Sequence, residues 1–373
     1  MFKGSRSQQS VVYVAGLATA GLIAAGFASP ASAHPAKELH NIKGVANNNV
    51  IGHLRVSIIA RGNTLSQPDE ITRLGDRLYV AFQNGIHAKG QPGSNGQTNS
   101  TIVEYTMEGK RLASWNIPGH CDGLTADPYK HELVATVNED GNSSMFTIQP
   151  QETGRSGAVT QYSYSQNPLP HGGGTDSIAF YKGQMLISAS APTVAGGPAV
   201  YSVRLSGHSA VLSPFFFDNS SATVANKGAD RQKTSLALTD PDSSTVVPRQ
   251  SPRFGGSYVL DSQGDQQQVY VNGTGMSQRR MVLNLSQSIN DTAWATSATG
   301  TLFVTDHTNN EVVAITGTFR PGTAFVAATP SSANNPSSIP NYLGTLNLWT
   351  GNVTRVANMA LQPQGLLFVP GMR

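Results

Sequence analysis

The stretch CDGLTADPYKHELVATVNED, residues 121–140, contains the pattern that recurs along this chain. It starts with an aspartate beside a glycine, continues into a short apolar run and turns near Pro128. A second run, ELVATV, then ends in polar residues. The β-branched residues of that second run are typical of a strand. The stretch therefore predicts two consecutive strands, with Asp122 at the entrance of the first.

The same pattern recurs in PDEITRLGDRLYVAFQNG (68–85), TDSIAFYKGQMLISAS (175–190) and NDTAWATSATGTLFVTDHTNNEVVAITG (290–317). Weaker copies occupy 240–273 and 362–371, and third and fourth strands are predicted from hairpin-like runs such as 100–118 and 143–165. One marker residue opens each copy, at intervals of 49 to 73 residues: Asp69, Asp122, Asp176, Asp242, Asp291 and Gln364.

Four-stranded units of this length are typical of the blades of a β-propeller. Such a unit buries both faces only by packing radially against its neighbours. Six markers predict six blades, and the wide last interval leaves seven open. Two stacked β-sandwiches are the alternative, but they do not explain the recurring aspartate. To close the ring, LRVSIIARG (54–62) is expected to supply the outer strand beside GLLFVPG (365–371).

The N-terminus has the three parts of a secretory signal peptide. Lys3 and Arg6 precede 17 uncharged apolar residues, and an A-x-A site ends at Ala33. We expect cleavage after Ala33 and a secreted protein, with a retained membrane anchor as the alternative. We then expect a linker at 34–53 and a single propeller domain at 54–373.

Composition excludes several classes of partner and of fold. Removing residues 1–33 leaves 23 basic residues against 22 acidic ones, a balance that predicts neither nucleic acid nor an anionic membrane as partner. A single cysteine, Cys121, excludes an internal disulfide, so the hydrophobic core alone must stabilise the fold. With 13% charged residues and 38 glycines, the chain has the profile of a turn-rich all-β protein. We expect no membrane span in the mature chain, and a monomer.

The succession of a polar-Gly start, GLTAD, a turn, a VATV-type strand and a polar residue resembles the NHL repeat. It also resembles the propellers of the SMP-30/gluconolactonase/LRE-like family, and the likeness covers most of the mature chain. The resemblance implies a six-bladed propeller more directly than it implies an activity.

In propellers of this kind the first strand of each blade lines the central channel, so the marker aspartates are expected to gather at one mouth. Several carboxylates that converge without fixed cations repel one another, and a hard cation such as Ca²⁺ suits an all-oxygen ring. Alternatively, each aspartate caps a turn within its own blade. The candidate metal ligands are Asp69, Asp122, Asp176, Asp242 and Asp291.

The resemblance adds a second expectation. Calcium-dependent lactonases of the SMP-30 type use a Glu from an early blade, one or two Asn, and an Asp. Glu70 is similar in position to the Glu and Asp291 to the late acid. The middle positions hold Asp122 and Asp176 where the family has Asn.

Three histidines are expected near the same mouth: His120, His171 and His307. His171 and Asp176 could act as general base and partner, or an imidazole could bind a transition metal. The alternative is that these histidines bond to loop carbonyls. The weak catalytic candidates are therefore His171, His120 and Glu70. Cys121 aligns with positions that share no common chemistry, which favours a buried thiol over a nucleophile.

Two functions remain open from sequence. One is a secreted propeller that binds an extracellular ligand or small molecule through its loop face and acidic mouth. The other is a hydrolase that uses a divalent cation such as calcium on a small ester, lactone or sugar-like substrate. The first is supported by the absence of a complete catalytic motif, and the second by the marker aspartates with Glu70 and the nearby histidines.

Overall fold

A computed structural model describes residues 38–42, 54–151, 156–229, 231–331, 337–356 and 359–371. The predicted signal peptide and its cleavage site lie outside this part of the chain. Within the predicted linker, a strand at Glu38–Ile42 is described. Over the described ranges, no helix has the length and apolar character needed to cross a membrane.

The described residues form 27 β-strands and one 3-10 helix, Gly275–Ser277. In chain order the first strands are β1 Glu38–Ile42, β2 Leu54–Arg61, β3 Pro68–Leu74, β4 Arg77–Phe82, β5 Asn99–Thr106, β6 Arg111–Pro118, β7 Cys121–Asp127, β8 Glu132–Val137, β9 Ser144–Ile148, β10 Val159–Tyr164, β11 Ile178–Tyr181, β12 Gln184–Ser188, β13 Pro198–Ser206 and β14 Ser209–Phe217. The remainder are β15 Ser221–Val224, β16 Lys233–Ser235, β17 Pro241–Val246, β18 Tyr258–Ser262, β19 Gln267–Asn272, β20 Arg279–Asn284, β21 Ile289–Trp294, β22 Thr299–Asp306, β23 Glu311–Thr318, β24 Ala324–Ala328, β25 Tyr342–Leu346, β26 Val353–Arg355 and β27 Pro363–Pro370.

Most sheets are antiparallel arrays of strands consecutive in the chain. The simplest is β3-β4-β5-β6, and the strands β7 to β10 and β11 to β14 repeat that order. Parallel pairing of β10 with β14 joins the last two arrays into one sheet of eight. The array β17-β18-β19-β20 carries β15 and β16 at its outer edge. This order confirms the predicted strand-turn-strand repeat.

The closing sheet combines both ends of the described chain, in the order β1-β2-β23-β22-β27. As expected, 54–61 and 363–370 share a sheet, but β22 and β23 lie between them. The stretch 290–317, predicted as one unit, is divided because β21 pairs with β24 and β22 pairs with β27. The wide last interval holds β24, β25 and β26, which complete the sheet of β21.

Six strands, here called the inner strands, each form an edge of a sheet and contact two others in a closed ring. In cyclic order they are β3, β7, β11, β17, β21 and β27. Radial packing of sheets around such a ring is a β-propeller, which confirms the predicted fold class. The described strands form five hydrogen-bonded sheets, so the count of six blades stays a prediction.

The hydrophobic core lies between neighbouring sheets. Tyr79 and Trp115 of the β3–β6 sheet pack in one cluster with Leu133 and Phe146 of the next sheet. All four are at most 4% exposed. Each such burial contributes about 1.5–3 kcal/mol relative to exposure, which is how sheets with no disulfide hold one another in place.

Candidate functional site

All marker positions except that of Asp176, which precedes β11, lie in β-bulges at the entrances of the inner strands. The pairing register shifts between Pro68 and Ile71, between Cys121 and Gly123, between Pro241 and Ser244 and between Ile289 and Asp291. The pairing of β27 with β22 shifts in the same way next to Gln364. A bulge inserts an unpaired residue and turns its side chain away from the regular alternation. The marker side chains can therefore point into the channel mouth.

The bulges also define which residues are equivalent. Ile289 pairs with Ala328 and Thr292 with Val326, just as Pro68 pairs with Phe82 and Ile71 with Val80. Asn290 rather than Asp291 therefore matches the other markers. A cavity of about 190 Å³, here called the mouth cavity, agrees, since its lining includes Asn290 and leaves out Asp291. Its lining residues are Asp69, Glu70, Gln83, His120, Asp122, Glu139, Asp176, Asp240, Asp242, Gln263, Asn290 and Gln364.

Among the described residues that line this cavity, seven carry carboxyl groups and none is lysine or arginine. Burial raises the pKa of Asp69, Asp122 and Asp242 well above their usual range, and neighbouring carboxylates raise it further. Burial likewise raises the pKa of Asp240 to about 6. The predicted gathering of acids is thus present for Asp69, Asp122, Asp176 and Asp242, with Glu70 beside them.

Asp122 is held by two neighbours. Its Oδ1 accepts a hydrogen bond from Gln83 Nε2 at 2.8 Å and lies 2.9 Å from His120 Nε2. The other ring nitrogen, His120 Nδ1, lies 2.6 Å from the carbonyl oxygen of Ile86, which can only accept, so Nδ1 donates. Glu139 Oε1 lies 4.0 Å from His120 Nε2. His120, Asp122 and Glu139 form the one group of potential ligands that comes together in this way among the described residues.

Three oxygens of the mouth cavity are buried without a hydrogen-bond partner among the described residues. They are Asp122 Oδ2, Asp176 Oδ2 and Gln364 Oε1. Asp122 and Asp176 are 6% and 3% exposed. Buried polar atoms are normally paired, and an unpaired carboxylate oxygen is costly. A hard cation prefers oxygen ligands of this kind, so the donor chemistry of the residues present fits a calcium-type ion.

Asp176 and Asp242 lie close enough for each carboxyl group to shift the pKa of the other: Asp242 lowers the pKa of Asp176, and Asp176 raises that of Asp242. The pair lies on adjacent inner-strand entrances, which are brought together by Ser177 Oγ donating to Ser244 Oγ at 2.7 Å.

Asp291 has a different environment. Its Oδ2 accepts a hydrogen bond from the backbone N–H of Leu366 at 2.6 Å, and Oδ1 accepts one from the N–H of Thr292 at 2.6 Å. Burial raises its pKa to about 6, and these donors oppose the rise. Asp291 thus connects β21 to β27, as a structural acceptor one residue past the marker position.

The other predicted histidines do not line the mouth cavity. His171 is fully buried; its Nε2 donates to the carbonyl of Gly174 at 2.7 Å, and its Nδ1 accepts from the Tyr201 hydroxyl at 2.8 Å. Both nitrogens are engaged, so the structure places His171 in a loop-holding role. His307 lies 3.4 Å from Gln83 Oε1, and burial lowers its pKa.

Cys121 packs in the core between two sheets and is fully buried. Burial raises the pKa of its thiol well above the usual range, and Asp122 raises it further. A thiol with these properties is a poor nucleophile.

Several lining residues were not singled out from sequence: Gln83, Glu139, Asp240, Gln263 and Asn290. Gln83, Glu139 and Gln263 follow the second strand of their arrays, at the polar end that the repeat already marks. That recurring polar end was a signal that could have found them. The positions of Asp240 and Asn290 in the lining instead depend on the local backbone shape at the entrance of their strands.

No family model matches the chain, and no curated protein matches it. Among solved structures, the periplasmic gluconolactonase of Pseudomonas aeruginosa is similar at 13% identity, with 86% of this chain and 96% of that chain covered and a TM-score of 0.49. A gluconolactonase of Xanthomonas campestris is similar at 12% identity, with 78% and 98% covered and a TM-score of 0.39. The Dos1 propeller is similar at 10% identity, with 80% and 86% covered and a TM-score of 0.39. The sheet topology of the chain itself makes it an all-β propeller with an acidic channel mouth.

Proposed function

We propose that the chain binds a calcium-type divalent cation at the mouth cavity and hydrolyses a small lactone or ester there. The observation that carries this proposal is the set of three buried, unpartnered oxygens in a cavity lined by seven carboxyl groups. An isolated buried carboxylate is neutralised by a proton, an ion pair or a metal, and this lining contains no lysine or arginine.

The residues that would hold the ion are Asp122 through Oδ2, Asp176 through Oδ2 and Gln364 through Oε1, with Asp69 and Asp242 beside them. All are oxygen donors, which favours a hard cation over a thiolate- or imidazole-seeking one. When bound, such an ion polarises a carbonyl group and makes a nearby water more acidic.

The side chains next to this set can handle the proton of a hydrolysis. His120 is oriented by its bond to Ile86 and keeps Asp122 in place. Glu139, with its side chain 30% exposed, reaches the cavity and can take a proton from water at Oε1. The hydroxide formed adds to the substrate carbonyl carbon, the carbon–oxygen bond of the ester breaks, and the leaving oxygen recovers the proton from Glu139.

Ligand binding without turnover is the second candidate, as expected for a secreted recognition propeller. The volume of the mouth cavity favours it, because about 190 Å³ is smaller than the roughly 300–1,000 Å³ of typical small-molecule pockets. Only a small group would enter, such as one end of a larger extracellular ligand.

The test combines metal analysis of the purified chain, titration calorimetry with Ca²⁺, and turnover of glucono-δ-lactone, γ-butyrolactone and p-nitrophenyl acetate. Asp122→Asn with Asp176→Asn is expected to weaken Ca²⁺ binding about 1,000-fold, or about 4 kcal/mol, and to abolish turnover. Asp76→Asn is the matched control, because that side chain is 80% exposed and contacts Arg77 outside the cavity. Calcium binding without turnover overturns the hydrolase and favours the binding role, and a chain that binds no divalent cation overturns the metal-dependent hydrolase but not the binding role.

A further inference from the structure

A second cavity, of about 320 Å³, lies further along the inner strands and is here called the far cavity. Its lining is formed largely by residues that follow the markers in the inner strands. Glu70 lines both cavities, whereas Asp291 lines only the far cavity. Tyr129, in the turn after β7, lines it and is 96% exposed, so the far cavity reaches the surface there. Its volume is in the range of small-molecule pockets.

The charge of the far cavity is negative at its inner end. Glu70 and Asp291 are its only charged lining residues within the described part of the chain. Both oxygens of Asp291 already accept backbone hydrogen bonds. The Glu70 side chain has no hydrogen-bond or ion-pair partner among the described residues, and it lines both cavities. The cavity therefore disfavours anions and leaves one carboxyl group free to pair with a ligand.

The hydroxyl groups around this inner end use their hydrogens within the protein. Ser177 Oγ donates to Ser244 Oγ at 2.7 Å, and Thr292 Oγ1 donates to Asp261 Oδ2 at 2.9 Å. Ser243 Oγ donates to the same Asp261 oxygen at 3.2 Å. These hydroxyl groups can offer only lone pairs to a ligand. The inner end therefore lacks hydrogen-bond donors and suits a ligand that carries several donors of its own.

The outer walls are largely aliphatic. Leu124, Ile178, Val246 and Leu366 line the far cavity, with hydroxyl groups of threonine between them. A bare metal ion gains nothing from such walls, whereas a short hydrocarbon chain is removed from water there.

We propose that the far cavity binds a small primary amine, its ammonium group on Glu70 and the neighbouring hydroxyl oxygens and its carbon chain along the aliphatic walls. The ammonium group brings three donors and the positive charge that Glu70 lacks. This proposal does not depend on a cation at the mouth cavity.

Titration calorimetry with n-butylammonium tests it on the whole chain. Three probes of similar size serve as controls: n-butanol lacks the charge, butyrate reverses it, and butyltrimethylammonium keeps the charge without N–H donors. We expect n-butylammonium to bind at least tenfold more tightly than each of them. Equal binding of n-butylammonium and n-butanol, or of the two cations, would overturn the proposal.

Two variants locate the amine. Glu70→Gln removes the charge and is expected to weaken n-butylammonium at least tenfold. Thr245→Phe fills the far cavity from a partly exposed position and is expected to abolish amine binding while Ca²⁺ titration at the mouth cavity is unchanged. If Thr245→Phe leaves amine binding intact, the amine is not in the far cavity and the proposal is wrong.

Discussion

Asp122 and Asp291 both open inner strands, and sequence gives them the same role, but the structure gives them opposite ones. Asp122 is the extra residue of its bulge and faces the mouth cavity with one oxygen unpartnered. Asp291 follows the extra residue of its own bulge and fastens β21 to β27 through backbone hydrogen bonds. The difference shows that one residue of register separates a candidate ligand from a structural acceptor.

The largest expected effect is on stability, and it has opposite signs at the two aspartates. Asp291→Ala leaves the buried N–H of Leu366 without an acceptor, so we expect the free energy of unfolding to fall by about 3 kcal/mol. Asp122→Asn removes one of several crowded charges, so cation-free protein is expected to become slightly more stable. Chemical denaturation in EDTA measures both changes. Equal losses in the two variants would show that the aspartates share one role.

The next effect is on the pH dependence of stability. Because the folded-state pKa of Asp291 is about 6, against 3.8 normally, the unfolded chain releases this proton at a lower pH than the folded chain does. Stability is therefore expected to fall by about 2 kcal/mol as pH rises from about 4 to 6. Asp261, with a pKa raised by burial to about 7, extends the loss to about pH 7.

Thermal unfolding between pH 4 and 8 in EDTA measures this slope. If the cation-free protein gains stability across that range, the pKa values of Asp291 and Asp261 are not raised as described above.

A smaller effect is expected at Gly123, which occupies the register position of Asp291 on its own strand. A Cβ there would meet Thr136 Oγ1 and the carbonyl oxygen of Asp176, so the entrances of β7 and β11 could not approach as they do. Gly123→Ala is expected to cost about 1.5 kcal/mol. Thr125→Val, two residues along and partly exposed, is the control and should cost little. If Gly123→Ala leaves the free energy of unfolding unchanged, the chain accommodates the added Cβ easily at this point.

The smallest effect is expected at Cys121. Cys121→Ala removes a small buried group and is expected to cost about 1 kcal/mol or less, with cation binding and any turnover unchanged. Iodoacetamide is expected to modify the thiol only in unfolded protein, as intact mass spectrometry would show. Rapid modification of the folded chain would contradict the buried position.

Much of this architecture was predictable from the repeat. An aspartate before two strands recurs at 69, 122, 176 and 242, and inner strands that all start at one mouth must bring those residues together. The repeat failed at 290–317, because the strand following Asp291 in sequence is not its hydrogen-bonded neighbour in space. The predicted pairing of His171 with Asp176 failed as well. The two residues are close in sequence, but the ring nitrogens of His171 bond to Tyr201 and Gly174 instead.

The sequence by itself determined the propeller class, the acidic character of one mouth and the buried, unpaired state of the single cysteine. These follow from composition and from local patterns that every copy of the repeat shares. Only the tertiary structure decided which strand closes the ring and which residue at each entrance faces the channel. Strand side chains alternate with a period of two, so the extra residue of a bulge reverses the face on which each following side chain lies.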